Sequence, residues 1–297
     1  MARALETSLG RLVIDDVGTL VWLGFQGDLP LIIGDGGVLW EITLQQPSAP
    51  SHRGAREVVT AVTNKPRCES LSAGLRLYYP ELVGRGDRVW PIELIIDIEV
   101  IDDAFSFMVT VKNRDQDWVV QGLRAPIIAG SVTADEMHLV WPAAAGQRFP
   151  LPNAQLKRIS YPGSASMQWF AVAAEGYGLY MGSHDPSLQI TSLQADMDTQ
   201  QGRLELALSK HPLCGPGQYW RSAPYVVAPF KGSWHLAARR YREWAEGWFD
   251  PISRPGWVID SSGWQLSILK QQNGEIMWRY GDLSTLSDLA GSAGLNT

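Results

Sequence analysis

The sequence predicts a mainly β protein: a large antiparallel β-sandwich, then an amphipathic helix, then the opening of a parallel βα series. Three observations carry this. Short runs of alternating apolar and polar residues, punctuated by Gly, Pro and Asp, recur up to about residue 230. The two clearest runs, Ile92–Ile101 and Phe105–Lys112, are separated only by Asp102-Asp103-Ala104, which reads as a hairpin turn. At Gly232 the pattern changes to apolar spacings of three and four.

Taken in order, Arg11–Asp15 (RLVID), a Gly turn and Thr19–Phe25 (TLVWLGF) predict the first hairpin. Val38–Leu44 alternates, Glu57–Thr63 is β-branched, and Leu75–Tyr79 stops at a proline. Beyond the long pair, strands are predicted at Trp118–Leu123, Met137–Trp141, Met167–Ala174, Gly178–Ser183, Leu188–Leu193 and Arg203–Ser209. Strands this regular fit a sandwich, and the absence of a repeat of about 20–50 residues disfavours a propeller or solenoid. Ser233–Trp248 predicts a helix with Ser233 as N-cap and with Leu236, Arg240, Tyr241, Trp244 and Trp248 on one face. Pro251 and Pro255 follow as a linker. Gln265–Lys270 then reads as a buried strand and Gln271 to Gly281 as a polar loop. Leu283–Ala293 reads as a helix with Leu286, Leu289 and Ala290 facing inward, stopped by Gly294, and Leu295 would open a second strand. The expected domains are therefore a sandwich (1–231), a helix and linker (232–256) and one βα unit (257–297).

Composition bounds the function. The 297 residues are 45% hydrophobic and 19% charged, enough for a sizeable core. The net charge of −6, with no Lys/Arg-rich run, argues against a nucleic-acid partner. No run reaches about 18 apolar residues, so no membrane span is expected. The first residues, MARALETSLGRLVIDD, lack the apolar stretch of a signal peptide, and the expected location is cytoplasmic. Cys68 and Cys214 either pair or are two buried thiols, and their spacing fits no zinc pattern. Neither a G-x-S-x-G elbow nor a nucleotide-binding glycine loop occurs, and Gly34-Asp35-Gly36-Gly37 reads as a turn. No cofactor or metal is expected. The 13 tryptophans suit carbohydrate as a partner, because indole faces stack on pyranose C–H groups, although core packing should claim most of them.

Four stretches carry a resemblance: YPGSASMQWF (Tyr161–Phe170), GLYMGSHD (Gly178–Asp185), the helix GSWHLAARRYREWAEGWF (Gly232–Phe249), and Trp264 with LKQQNGE (Leu269–Glu275). Spread through residues 120–297, they resemble the N-terminal half of glycoside hydrolases of the DUF6259 type, whereas the earlier strands match only in pattern. The resemblance implies a galactose mutarotase-like β-supersandwich, a linker helix and the first βα unit of a (β/α)8 catalytic barrel. One βα unit cannot close a barrel. On this reading the chain is a truncated fragment without hydrolytic activity of its own. Glycoside cleavage usually needs two carboxyl groups about 5 Å or about 6.5–9.5 Å apart, and the resemblance implies that both lie on later strands, beyond Thr297. No catalytic residue is assigned.

Six residues are candidates for substrate binding: Trp169, His184, Asp185, Gln271, Gln272 and Glu275. Gln271, Gln272, Asn273 and Glu275 follow the first barrel strand, where amides and carboxylates can hold sugar hydroxyls; the alternative is an ordinary polar loop. His184 and Asp185 can hold a hydroxyl, or simply form the turn before Pro186. Trp169 offers a stacking face or a core ring. Asp196 and Asp198 look like part of a calcium loop but lack its glycine and terminal glutamate, so a solvated loop is expected, as it is around His211. Two other function classes stay open. One is a non-catalytic carbohydrate-binding module. The other is a mutarotase-like sugar epimerase, for which His138 and Glu175 supply an acid and a base that nothing in the sequence places together.

Overall fold

The computed structural model describes residues 2–27, 29–47, 54–132, 136–250, 253–260, 274–276 and 282–292. The chain divides into two compact units, Met1–Trp248 and Phe249–Thr297.

In chain order the first unit begins with β1 (Arg3–Glu6), β2 (Gly10–Ile14), β3 (Leu20–Phe25), β4 (Leu29–Gly34), β5 (Glu41–Gln45), β6 (Arg56–Thr60), β7 (Arg67–Leu71) and β8 (Gly74–Tyr79). It continues with β9 (Leu82–Val83), β10 (Val89–Trp90), β11 (Ile92–Ile101), β12 (Ala104–Asn113), β13 (Val119–Val132), β14 (His138–Trp141) and β15 (Gln147–Pro150). Then come β16 (Lys157–Tyr161), β17 (Trp169–Ala174), β18 (Tyr177–Ser183), β19 (Thr191–Asp198), β20 (Arg203–Lys210), β21 (Tyr219–Arg221), β22 (Tyr225–Lys231) and helix α1 (His235–Glu246).

Two ten-stranded sheets result. The first runs β1-β2-β3-β4-β13-β20-β19-β16, with β5 also on β13 and β6 on β5. The second runs β15-β14-β17-β18-β22-β12-β11-β8-β7, with β21 on β12. All pairings between these strands are antiparallel. The inward residues of both sheets merge in one core: Leu12, Ile14 and Leu206 from the first sheet meet Leu77, Ile96 and Phe107 from the second. This is the sandwich that the alternation predicts.

The β11–β12 hairpin falls where it is expected. Asp102 and Asp103 both take left-handed angles (φ 48° and 59°), which is what a two-residue turn of this hand requires. The Asp103 carboxylate also accepts from the Ser8 backbone and hydroxyl, tying the turn to the β1–β2 connection. Backbone closeness fixes glycine at two facing positions of β4 and β13: a Cβ on Gly34 would lie 1.8 Å from the Leu20 carbonyl oxygen, and one on Gly130 would lie 2.0 Å from that of Ile33.

Several expectations are corrected. The strand expected at Trp118–Leu123 extends to Val132 as β13, with irregularities between Val120 and Gly122 and between Arg124 and Ile127. Residues 61–63 of the expected Glu57–Thr63 strand form a 3₁₀ turn capped by Thr60. Asp196 and Asp198 belong to β19 rather than to a free loop; Asp196 accepts from the Leu156 amide (2.9 Å) and Asp198 from those of Gln200 and Gln201. Ser233 does not cap α1 through its side chain; its hydroxyl faces His235 Nδ1 at 3.1 Å instead. Cys68 and Cys214 are free thiols, and burial pushes both above the usual thiol range.

In the second unit, α2 (Gly256–Ile259) and α3 (Leu283–Ser292) are described. Leu286 and Ala290 of α3 are buried as expected, but Leu289 is 51% exposed. The expected strand Gln265–Lys270, the residues Gln271, Gln272 and Asn273, and Gly294 with Leu295 lie outside the described residues. Among the described residues no helix is long and apolar enough to cross a membrane.

Candidate functional site

Strand alternation builds a polar surface on the outer face of the first sheet. In β20, Leu204, Leu206 and Leu208 enter the core, so Arg203, Glu205 and Ser209 point the other way. In β5, Ile42 and Leu44 enter the core and leave Glu41 and Thr43 outside. The irregularity in β13 puts Gln121 and Gly122 consecutively on the outer side, between buried Val120 and Leu123. Register then aligns one polar residue per strand across five neighbours. Glu41 faces Arg124, Arg124 faces Ser209, Ser209 faces Ser192, and Ser192 faces Ser160. In the adjoining row Gln194 faces Arg158.

A cleft of about 260 Å³ opens along this surface, lined among others by Glu41, Thr43, Gln121, Arg124, Arg158 and Ser209. Its polar groups are held in place. Arg124 donates from Nε to Gln194 Oε1 (2.6 Å) and pairs with Glu205. Glu205 also meets Arg203 at 3.1 Å, and Arg203 pairs with Asp35 of the Gly34–Gly37 turn. Burial pushes the Glu205 carboxyl up, but the two guanidinium groups outweigh it and hold the group below its usual range. Ser160 and Ser192 hydroxyls are 2.9 Å apart. Ser209 differs: it is 6% exposed, and its buried Oγ has no hydrogen-bond partner among the described residues. An orphaned hydroxyl in a polar cleft is a group waiting for a ligand or a water.

Lys210, also on the cleft lining, is 1% exposed. Its ammonium pairs with Asp185, which follows β18 of the second sheet, and donates to the Gln189 carbonyl at 2.8 Å. Burial pushes the Asp185 carboxyl up, but hydrogen bonds from Lys210 and Ser187 prevail and hold it below the usual carboxylate range. The pair therefore ties the cleft to the opposite sheet. Asp185 also makes the turn that the sequence predicts, accepting from the Ser187 amide at 2.9 Å.

The neighbouring candidate His184 points elsewhere, to α1. Its ring stacks on Trp244 (centroids 4.7 Å, planes 19° apart), with Nε2 2.9 Å from the Tyr180 hydroxyl. Burial, aided by the charge of Arg240, lowers its pKa to about 4, so it is neutral at pH 7. Trp169 is 3% exposed and stacks on Tyr180, with Tyr241 of α1 beyond it. Small outer-face residues, Ala171, Ala173 and Ala228, let the helix approach the sheet here. Trp169 also borders an apolar recess of about 260 Å³ with Trp141, Met167 and Trp234. Glu275 is exposed, in the second unit. Thus Asp185 reaches the cleft through Lys210, while Trp169 and His184 each pack against Tyr180 and α1.

His138 and Glu175 line one cavity of about 620 Å³ together with Glu136, Arg148 and His235. Among the described residues no cluster of three or more His, Cys, Asp or Glu could hold a metal ion. Among the described residues no tryptophan lines the polar cleft, and Trp40, Trp90, Trp118 and Trp141 are core residues.

Arg124, Gln194, Glu205, Ser209 and Lys210 stand in no sequence motif. A usable signal existed in RLELALSK (Arg203–Lys210), whose leucines at every second position put Arg203, Glu205 and Ser209 on one face. What linear sequence hides is which strands lie beside that face.

The architecture is a galactose mutarotase-like β-supersandwich. No family model matches the chain, and no curated protein does. Solved structures match at the level of fold. The α-N-acetylgalactosaminidase NagBb from Bifidobacterium bifidum, in complex with GalNAc, aligns with a TM-score of 0.55 at 12% identity, over 82% of this chain and 38% of that one. An α-galactosidase from Lactobacillus brevis aligns with 0.51 at 10% identity, over 82% and 41%. A galactose mutarotase related enzyme from Lactobacillus acidophilus aligns with 0.52 at 8% identity, over 77% and 97%. The chain thus spans about two fifths of the glycosidases it matches and almost the whole of the mutarotase-related enzyme.

Proposed function

We infer that the chain is the supersandwich part of a glycoside hydrolase of the DUF6259 type, and that it contacts carbohydrate in the cleft on the outer face of the first sheet. The observation that carries this is the Glu41–Arg124–Ser209–Ser192–Ser160 row, with the unpartnered Ser209 hydroxyl at its centre. A sugar hydroxyl both donates and accepts, so one ring can satisfy Ser209 while bonding to its fixed neighbours. The fold supports the reading, since its structural neighbours include two glycosidases and a mutarotase-related enzyme. In this reading Lys210 and Asp185 brace the cleft from below, and Trp169 and His184 seat α1. In the second unit, α3 with its buried Leu286 and Ala290 is read as the helix of the first βα unit of a barrel, and Gln271, Gln272 and Glu275 as further substrate contacts.

Calorimetric titration of the chain with galactose, N-acetylgalactosamine and their oligosaccharides tests this. The expected result is saturable binding that Arg124→Gln weakens at least tenfold and that Arg76→Gln leaves unchanged. Arg76 lies on the second sheet, paired with Asp97 at 2.7 Å. Absence of saturable binding to every neutral and acidic sugar would overturn the proposal. A second reading, sugar epimerisation, is favoured by the cavity that brings His138 and Glu175 together. It predicts α/β interconversion of galactose, seen by NMR, that His138→Gln abolishes.

A further inference from the structure

The cleft carries the opposite charge to the protein around it. The chain has a net charge of −6. Yet Arg56, Arg124, Arg158 and Lys210 line the cleft against one carboxylate, Glu41. Two of these cations are already neutralised, Arg124 by Glu205 and Lys210 by Asp185. Glu41 sits directly across from Arg124 in the ladder. Arg56 and Arg158 remain, and among the described residues neither has an ion pair. They stand on β6 and β16, the flanking strands of the β6-β5-β13-β20-β19-β16 series. The four strands between them, β5, β13, β20 and β19, put β6 and β16 about 24 Å apart at the usual strand spacing, which is room for more than one sugar ring.

Arg158 is the better placed of the two. It faces Gln194, whose Oε1 is fixed by Arg124 and whose amide nitrogen has no partner among the described residues. A guanidinium fork beside an amide donor matches a carboxylate, which accepts bidentate bonds at its two oxygens. Ser209, one strand beyond β19, offers its unpartnered hydroxyl to the ring that carries the carboxylate.

Building on the carbohydrate reading of this cleft, we propose that its ligand is an acidic sugar of the uronic acid class, with its carboxylate on Arg158. The test is titration with methyl galacturonide and methyl glucuronide, their neutral counterparts methyl galactoside and methyl glucoside, and acetate as a competitor. The uronides should bind at least tenfold more tightly than the neutral glycosides at low salt, and the gap should narrow as ionic strength rises. Arg158→Gln, at an exposed edge-strand position, should close the gap by lowering uronide affinity at least tenfold while leaving thermal stability intact. Equal binding of uronide and neutral sugar would overturn this proposal and leave the carbohydrate reading standing. Acetate competing as well as a uronide would reduce the site to an anion site and overturn the sugar assignment too. Binding of neither class would overturn both.

Discussion

Replacing Asp185 by alanine removes one half of a buried ion pair and leaves the other half in place. The Lys210 side chain is 1% exposed and that of Asp185 is 4% exposed, so neither charge has access to water. Losing one partner of such a pair costs about 3–5 kcal/mol, because the remaining charge stays desolvated. Loss of the bonds that Asp185 accepts from the Ser187 amide and hydroxyl adds to this. For a unit of this size about 2–4 °C of melting temperature is lost per kcal/mol, so Asp185→Ala should lower Tm by about 6–20 °C. The double variant Asp185→Leu with Lys210→Met removes both charges and should recover most of the loss. Urea unfolding followed by tryptophan fluorescence measures all three chains, with an unchanged m-value as the check that the unfolding reaction is the same. The folded Asp185 carboxyl titrates below its unfolded value of 3.8, so the pair's contribution is present above that pH and fades as pH falls through the depressed folded value. A loss under about 1 kcal/mol for Asp185→Ala, or a double variant no better than the single, would refute the argument that this pair ties the two sheets through a dry interior.

Three further outcomes are expected. His184 titrates near 4 when folded against 6.5 unfolded, so the unfolded chain binds the extra proton in between, and stability should fall by about 3 kcal/mol as pH drops through that window. His184→Phe, which keeps a ring against Trp244, should flatten the same pH–stability curve; an unchanged slope would exclude His184 as its source. Gly34→Ala brings a Cβ to 1.8 Å from the Leu20 carbonyl, so it should destabilise by about 1–3 kcal/mol or more, read as a lower Tm; a neutral result would mean that β3 and β4 can part there. Because Cys68 and Cys214 are free, dithiothreitol should leave Tm unchanged, and a reductant-dependent drop would show that the thiols pair.

The sequence revealed strands wherever apolar residues alternate and a turn residue marks the end. Ile92–Ile101 is the clearest case, with Ile92, Leu94, Ile96 and Ile98 in the core and Asp102-Asp103 as its turn. Strands that break this pattern escaped notice. β22 contains Pro229 yet is an almost wholly buried interior strand between β18 and β12, where tertiary packing overrides what a proline suggests. β7 and β15 are edge strands with mostly exposed side chains, so they carry little apolar signal. The helix was visible, but Ala237, its buried residue, was hidden by the larger Leu236, Tyr241 and Trp244 around it. The cleft was least legible, because Arg124, Ser209 and Arg158 come from strands far apart in sequence and meet only through register. Lys210 lies just past the expected Arg203–Ser209 strand, and its burial depends on Asp185, from the opposite sheet.

The most direct test of the carbohydrate reading is a crystal structure of the chain soaked with a galacturonide or galactoside that titration shows to bind. The account predicts a sugar ring over the Glu41–Arg124–Ser209–Ser192–Ser160 row, with one hydroxyl within hydrogen-bond distance of Ser209 Oγ. A bound sugar in the His138–Glu175 cavity, with the first sheet's outer face empty, would contradict it.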